Sequence, residues 1–134
     1  MIHDTTNIRW VPNDPKLWFE RALGANVFLQ STGGITRAIV PADYHHPQIA
    51  VQGYVRGRML VEAYVNGALK YERLYTHSPL LMELDLERGQ GDGPCKLDIH
   101  FIPAAWGQVS LLRHVRAHHD HQMRHDVFET LEVA

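Results

Sequence analysis

The feature that most constrains this chain is an alternation of apolar and polar residues with a period of two, repeated over much of its length. In residues 48–55, Ile49, Val51, Gly53 and Val55 alternate with Ala50, Gln52 and Tyr54. In residues 58–65, Met59, Val61, Ala63 and Val65 share one face, and Leu60, Glu62 and Tyr64 share the other. Successive side chains of a strand point to opposite sides, so the pattern describes strands buried on one face and not helices, whose apolar stripe recurs every 3.6 residues. Residues 80–86 repeat it with Leu80, Met82, Leu84 and Leu86 inward, and residues 95–101 with Cys95, Leu97, Ile99 and Phe101 inward. Residues 27–30 and 35–40 add two more strands around Ser31-Thr32-Gly33-Gly34, which reads as a hairpin turn.

The turn residues sharpen this reading. Arg56-Gly57 is expected to turn the chain between two strands, and Asn66-Gly67 between alternating runs is a strong hairpin signal because both residues tolerate positive φ. A two-residue loop continued without interruption would place Lys70 and Glu72 on the apolar face. A three-residue loop, Asn66-Gly67-Ala68 with a bulge, instead pairs Val65 with Leu69, Ala63 with Tyr71, Val61 with Arg73 and Met59 with Tyr75, and is preferred. One helix is expected over residues 14–23, capped by Asn13 or Asp14, with Pro15 in its first turn and Gly24 ending it. Residues 108–126 contain no Gly or Pro, so a helix or an extended course is open for them, and residues 127–133 alternate as a strand. The expected fold is all-β: an antiparallel β-sandwich or jelly roll with one short N-terminal helix and a His-rich C-terminal segment.

At 134 residues the chain suits one domain, 1–134, long enough to bury a core without metal or disulfide staples. With 13 basic and 15 acidic side chains, and no cluster of either sign, it lacks the footprint of a nucleic-acid binder. Apolar stretches are broken by Arg, Glu, Asn or Gly well short of the roughly 20 residues that a membrane helix needs. Residues 1–7 lack the basic-then-apolar order of a secretory signal, which makes the cytoplasm the expected location. The lone Cys95 reads as a small buried hydrophobe.

From residue 51 to 133 the order of features resembles the small β-sandwich modules that accompany bacterial glycosyltransferases, and more loosely galactose-binding-like jelly rolls. The residues carrying the resemblance are Gly53-Tyr54-Val55, the strand and turn Leu60-Val61-Glu62-Ala63-Tyr64-Val65-Asn66-Gly67, Leu84-Asp85-Leu86 before a loop, and Leu97-Asp98-Ile99-His100-Phe101 before Pro103. Where those modules carry an Asp and Arg before a Leu-Gly-Val-like last strand, this chain reads Asp-His-Gln-Met-Arg-His-Asp-Val over residues 120–127. The resemblance implies a noncatalytic module that binds carbohydrate or another protein.

Sugar recognition needs an aromatic plate and planar polar groups held at fixed angles. Candidate ligand-binding residues are Trp10, Trp106, Tyr44, Tyr64, Glu62 and Asn66, with Trp18, Gln108, Asp92, Gln52 and Lys70 as further possibilities. Each tryptophan has core packing as its competing role. The preferred register also sets Glu62 opposite Glu72, a carboxylate pair that would serve a retaining glycosidase if about 5 Å apart in a cleft. Ten histidines form a second group of candidates. On a helix, His114, His118, His121 and His125 would fall on one face and could bind a divalent transition metal; a solvated surface or a seam between subunits is the plainer reading. A rival to sugar binding is a homo-oligomeric assembly protein whose exposed strands meet neighbouring copies or a partner protein.

Overall fold

The computed structural model describes residues 8–44, 46–86 and 93–115. Among these, the strands in chain order are β1 (Ile8–Arg9), β2 (Val11–Pro12), β3 (Phe19–Leu23), β4 (Asn26–Ser31), β5 (Gly34–Val40), β6 (Gln48–Val65), β7 (Ala68–Tyr75), β8 (Leu80–Asp85), β9 (Cys95–Leu112) and β10 (His114–Val115). The all-β reading holds, and every pairing between these strands is antiparallel. No helix among the described residues is long and apolar enough to cross a membrane.

Two 18-residue strands, β6 and β9, organise the molecule. They pair with each other from Gly53 opposite Leu111 to Val65 opposite Leu97. The far side of β9 is occupied end to end by β4, from Phe28 opposite Leu112, and by β5, from Gly34 opposite Phe101. The far side of β6 is likewise shared by β8 and β7. The order is therefore β3-β4-β9-β6-β8 at one end and β2-β5-β9-β6-β7 at the other, with β1 and β10 forming a separate ribbon. Where separate sandwich layers are expected, one hydrogen-bonded sheet curls into a half-barrel around a shared core.

That core is the alternation made physical. Ile49, Val51, Val55, Met59, Val61, Ala63 and Val65 from β6 are all buried, as are Leu80, Met82 and Leu84 from β8 and Cys95, Leu97, Ile99 and Phe101 from β9. Each large aliphatic side chain removed from water in this way stabilises the fold by about 1.5–3 kcal/mol. Trp18 closes one end, its ring edge-on to Phe101 at 5.8 Å between centroids.

Several turns differ from the sequence reading. Arg56-Gly57 does not reverse the chain: β6 runs straight through, and its register against β9 shifts between Gly57 and Met59. Gly57 has φ 77°, and a β-carbon there would stand 2.3 Å from Trp106 Cε3, so the missing side chain is what lets Trp106 pack against the strand. The loop after β6 has two residues, with Val65 opposite Ala68 and φ of 51° at Asn66 and 87° at Gly67, as a type I′ turn requires. The extra residue is instead Lys70, in a bulge between the Tyr64–Leu69 and Ala63–Tyr71 pairs. The expected Ala63–Tyr71, Val61–Arg73 and Met59–Tyr75 pairings follow; Val65–Leu69 does not.

The expected N-terminal helix shrinks to a single 3-10 turn, Pro15–Leu17, whose start is capped by the Asp14 carboxylate accepting from the Lys16 N–H at 3.0 Å. The chain then pairs as β3 against β4, with Leu23 opposite Asn26, so Gly24 belongs to a hairpin loop instead of a helix end. The cap signal is local and correct, but cross-strand pairing overrides its continuation. Ser31–Gly34 is likewise no hairpin: β4 and β5 both run along β9, and the Ser31 hydroxyl fixes the corner between them, donating to Gly33 O at 2.7 Å and accepting from its N–H at 3.0 Å. Residues 108–115 are mostly strand, and the expectations for 116–134 lie outside the described residues.

Candidate ligand-binding cleft

The outer face of the β3-β4-β9-β6 region carries a cleft of about 210 Å³ with a simple construction. Each of the four strands contributes two residues that are two apart in sequence: Arg21 and Leu23, Phe28 and Gln30, Gln108 and Ser110, Tyr54 and Arg56. Residues i and i+2 of a strand share a face, so the alternation that buries the core projects this second set outward. Register then brings them together, with Arg21 opposite Phe28, Gln30 opposite Ser110, Ser110 opposite Tyr54 and Gln108 opposite Arg56.

One end is apolar, where Phe28, Leu112 and Leu23 form a small cluster of their own. The middle is polar: the Gln30 side-chain amide donates to the Ser110 hydroxyl at 2.9 Å. That bond holds the glutamine plane and the hydroxyl in one orientation. Two residues before Tyr54 on the same strand, Gln52 is 2% exposed, and among the described residues neither its amide oxygen nor its amide nitrogen has a hydrogen-bond partner. Trp106 stands against Gly57, the neighbour of Arg56, and is 58% exposed.

Of the sequence-derived candidates, Trp106 therefore lies beside the cleft and Gln108 lines it. Trp10 and Tyr44 do not reach the surface: Trp10 is fully buried and Tyr44 nearly so, its hydroxyl donating to Gln48 O at 3.3 Å. Burial in the core takes both away from any ligand, and the same holds for Trp18. Asn66 serves the hairpin: its side-chain oxygen accepts from the Lys96 N–H at 2.8 Å, and its own N–H donates to Lys96 O at 2.8 Å, hooking the turn onto β9. Asp92 and the histidines at 118, 121 and 125 lie outside the described residues. His114 is in β10, opposite Arg9 and not on a helix, and no group of three or more His, Cys, Asp or Glu among the described residues is arranged to hold a metal ion.

Tyr64 and Glu62 belong to the other half of the sheet. Glu62 is opposite Glu72 on one side and His100 on the other, as the register expected for the carboxylate pair requires. The Tyr64 hydroxyl donates to Glu62 Oε1 at 3.1 Å, and its ring lies 4.7 Å from that of His100. This hydrogen bond, reinforced by burial and by the charges of Glu62 and Glu72, raises the Tyr64 pKa above its ordinary value. Next along the face, Arg37 donates to Asp98 through Nε at 2.7 Å, which raises the arginine pKa. These groups satisfy one another across an open sheet. A second, more open depression of about 410 Å³ lies at the β2–β5 edge, lined by Arg9, Val11, Pro12, Asn13, Arg37 and Ile39.

Sequence reasoning missed Arg21, Leu23, Phe28, Gln30, Tyr54, Arg56 and Ser110. The available signal was uncharged polar residues at outward positions of otherwise apolar strands, such as Gln30 and Ser110. No protein-family model matches the chain, and no curated protein matches it.

Proposed function

We propose that this chain is a noncatalytic carbohydrate-binding module that holds its ligand in the four-strand cleft. The observation carrying this reading is the convergence of two amides, two hydroxyls and two guanidinium groups on one small cleft whose other end is apolar. Sugars present hydroxyls in fixed directions on a ring with apolar faces. A wall of planar amides beside Leu23 and Tyr54, with Phe28 buried beneath, complements both, and Trp106 at the rim offers a further stacking plate. The test is a glycan array probed with untagged protein, followed by calorimetric titration of the hits against Gln30→Ala and Gln108→Ala. A bound saccharide whose affinity drops roughly tenfold in each variant supports the reading. A folded protein that binds no saccharide, or whose binding ignores both variants, overturns it.

A second reading, homo-oligomeric assembly, draws on β3, which pairs only with β4 among the described residues and carries Phe19 at 69% exposed. An outer strand with a projecting aromatic invites edge-to-edge pairing. Light scattering distinguishes the two: a multimer dispersed by Phe19→Ser favours assembly, and a monomer at high concentration removes it.

A further inference from the structure

Resting on the carbohydrate-binding reading, we propose that the ligand of the four-strand cleft is an anionic sugar, one unit of which carries a carboxylate or sulfate held by Arg21 and Arg56. Three observations carry this. Among the described residues no carboxylate lines the cleft, whose polar groups are otherwise neutral amides and hydroxyls. The side chains of Arg21 and Arg56 make no ion pair or hydrogen bond among the described residues, whereas Arg37 is engaged by Asp98, Arg113 by Glu20, and Arg73 lies 4.9 Å from the centre of the Tyr75 ring. The chain as a whole carries a formal charge of −2, so two cations unpaired among the described residues on one cleft are a local departure from the overall balance.

The spacing fits a small ligand gripped from both sides. Arg21 on β3 and Arg56 on β6 stand at opposite corners, three strand spacings apart across the sheet, roughly 14 Å, and four residues apart along β9 (Leu112 against Gln108), roughly 13 Å, a diagonal of about 19 Å. Extended side chains cover part of that diagonal from each corner, so the two guanidinium groups face a ligand lying between them over Gln30 and Ser110, which already present oriented donors and acceptors. A guanidinium offers paired N–H donors that match a carboxylate or sulfate edge, and charge-assisted bonds of this kind are stronger than those to neutral hydroxyls. The 210 Å³ available falls below the common range of ligand pockets, about 300–1,000 Å³, which limits the buried portion to about one sugar residue.

The experiment is calorimetric titration of the full chain with matched saccharides: glucose, glucuronate and glucose 6-sulfate, or the same series built on the best hit from the array. Inorganic sulfate and acetate are titrated alone, at two ionic strengths. The expected result is that the carboxylated or the sulfated sugar binds at least tenfold more tightly than its neutral counterpart and weakens as salt is raised. Arg21→Gln and Arg56→Gln should each lower that affinity roughly tenfold and remove most of its dependence on salt. Arg58→Gln, an exposed arginine outside the cleft, should change neither, and unchanged thermal midpoints certify the fold of all three. Which of the two charged sugars binds better identifies the acid. Equal binding of neutral and charged sugars, lost in Gln30→Ala and Gln108→Ala but not in the arginine variants, refutes the anionic ligand and leaves the carbohydrate reading standing. No saccharide binding at all, even if sulfate or acetate alone binds, refutes both.

Discussion

Replacing Gln52 by methionine should make the protein more stable, although nothing around the residue changes. Gln52 is 2% exposed, on the outer face of β6 opposite Leu81 of β8, and both polar atoms of its amide are without partners among the described residues. Burying an amide without compensation costs roughly 1–3 kcal/mol in proteins. Methionine has nearly the same length and volume and, being unbranched and flexible, can fit the same space, so Gln52→Met removes that cost with little change in packing volume. The expected gain is about 1–3 kcal/mol, which for a domain of this size raises the thermal midpoint by roughly 3–10 °C. Urea denaturation with an unchanged slope, together with calorimetry, measures it. A midpoint that stays or falls would mean that the amide is satisfied in solution, by water or by a shifted neighbour. Ligand affinity measured on the same variant would then show whether Gln52 supports the cleft two residues away.

Three further outcomes follow from named contacts. Gly57→Ala should cost roughly 2–4 kcal/mol in urea unfolding, because φ is 77° and the new β-carbon would meet Trp106 Cε3 at 2.3 Å and its backbone oxygen at 2.5 Å; a loss below about 0.5 kcal/mol would refute the close approach. Ser78→Ala should cost about 1–3 kcal/mol, since the Ser78 hydroxyl accepts from the Val55 N–H at 2.9 Å and donates to Val55 O at 2.8 Å, standing in for a missing strand partner. Tyr75 is shifted above its ordinary pKa near 10, first by burial and then by its hydrogen bond to Tyr71, with Arg73 opposing. The unfolded chain therefore loses this proton first, and stability present below pH 10 should decline as pH rises from 10 toward the folded-state value. Tyr75→Phe should flatten that stretch of the stability–pH curve, and an identical slope in the variant would assign the alkaline loss elsewhere.

What could be read from the chain before its fold was known is the part written in single strands. Met59, Val61, Ala63 and Val65 announce an inward face by spacing alone, and Asn66-Gly67 announces its turn. The hairpin shows where this stops: the pairing near Tyr71 and Tyr75 is legible because only one register keeps both tyrosines inward, but the placement of the extra residue is not, since a longer loop and a bulge at Lys70 satisfy the same alternation. Residues 14–23 mislead for the opposite reason. Their cap chemistry is real, but the competing partner, β4, contributes pairings that no local window contains. The cleft is hidden in the same way. Arg21, Gln30, Gln108 and Arg56 come from four strands, and their proximity depends on how β3, β4, β9 and β6 are ordered, which alternation does not specify.

The two long strands also limit how this module can be altered. Because β6 and β9 each belong to both ends of the sheet, no cut point yields a half with its own complete set of neighbours, and grafting either end onto another scaffold would sever both backbones at once. Their pairing closes from Val65–Leu97 to Gly53–Leu111, contacts distant along the chain, which places assembly in the slow regime of β topologies. Evolution or an engineer can change what the cleft reads by editing side chains in place, while the architecture itself is inherited whole or lost.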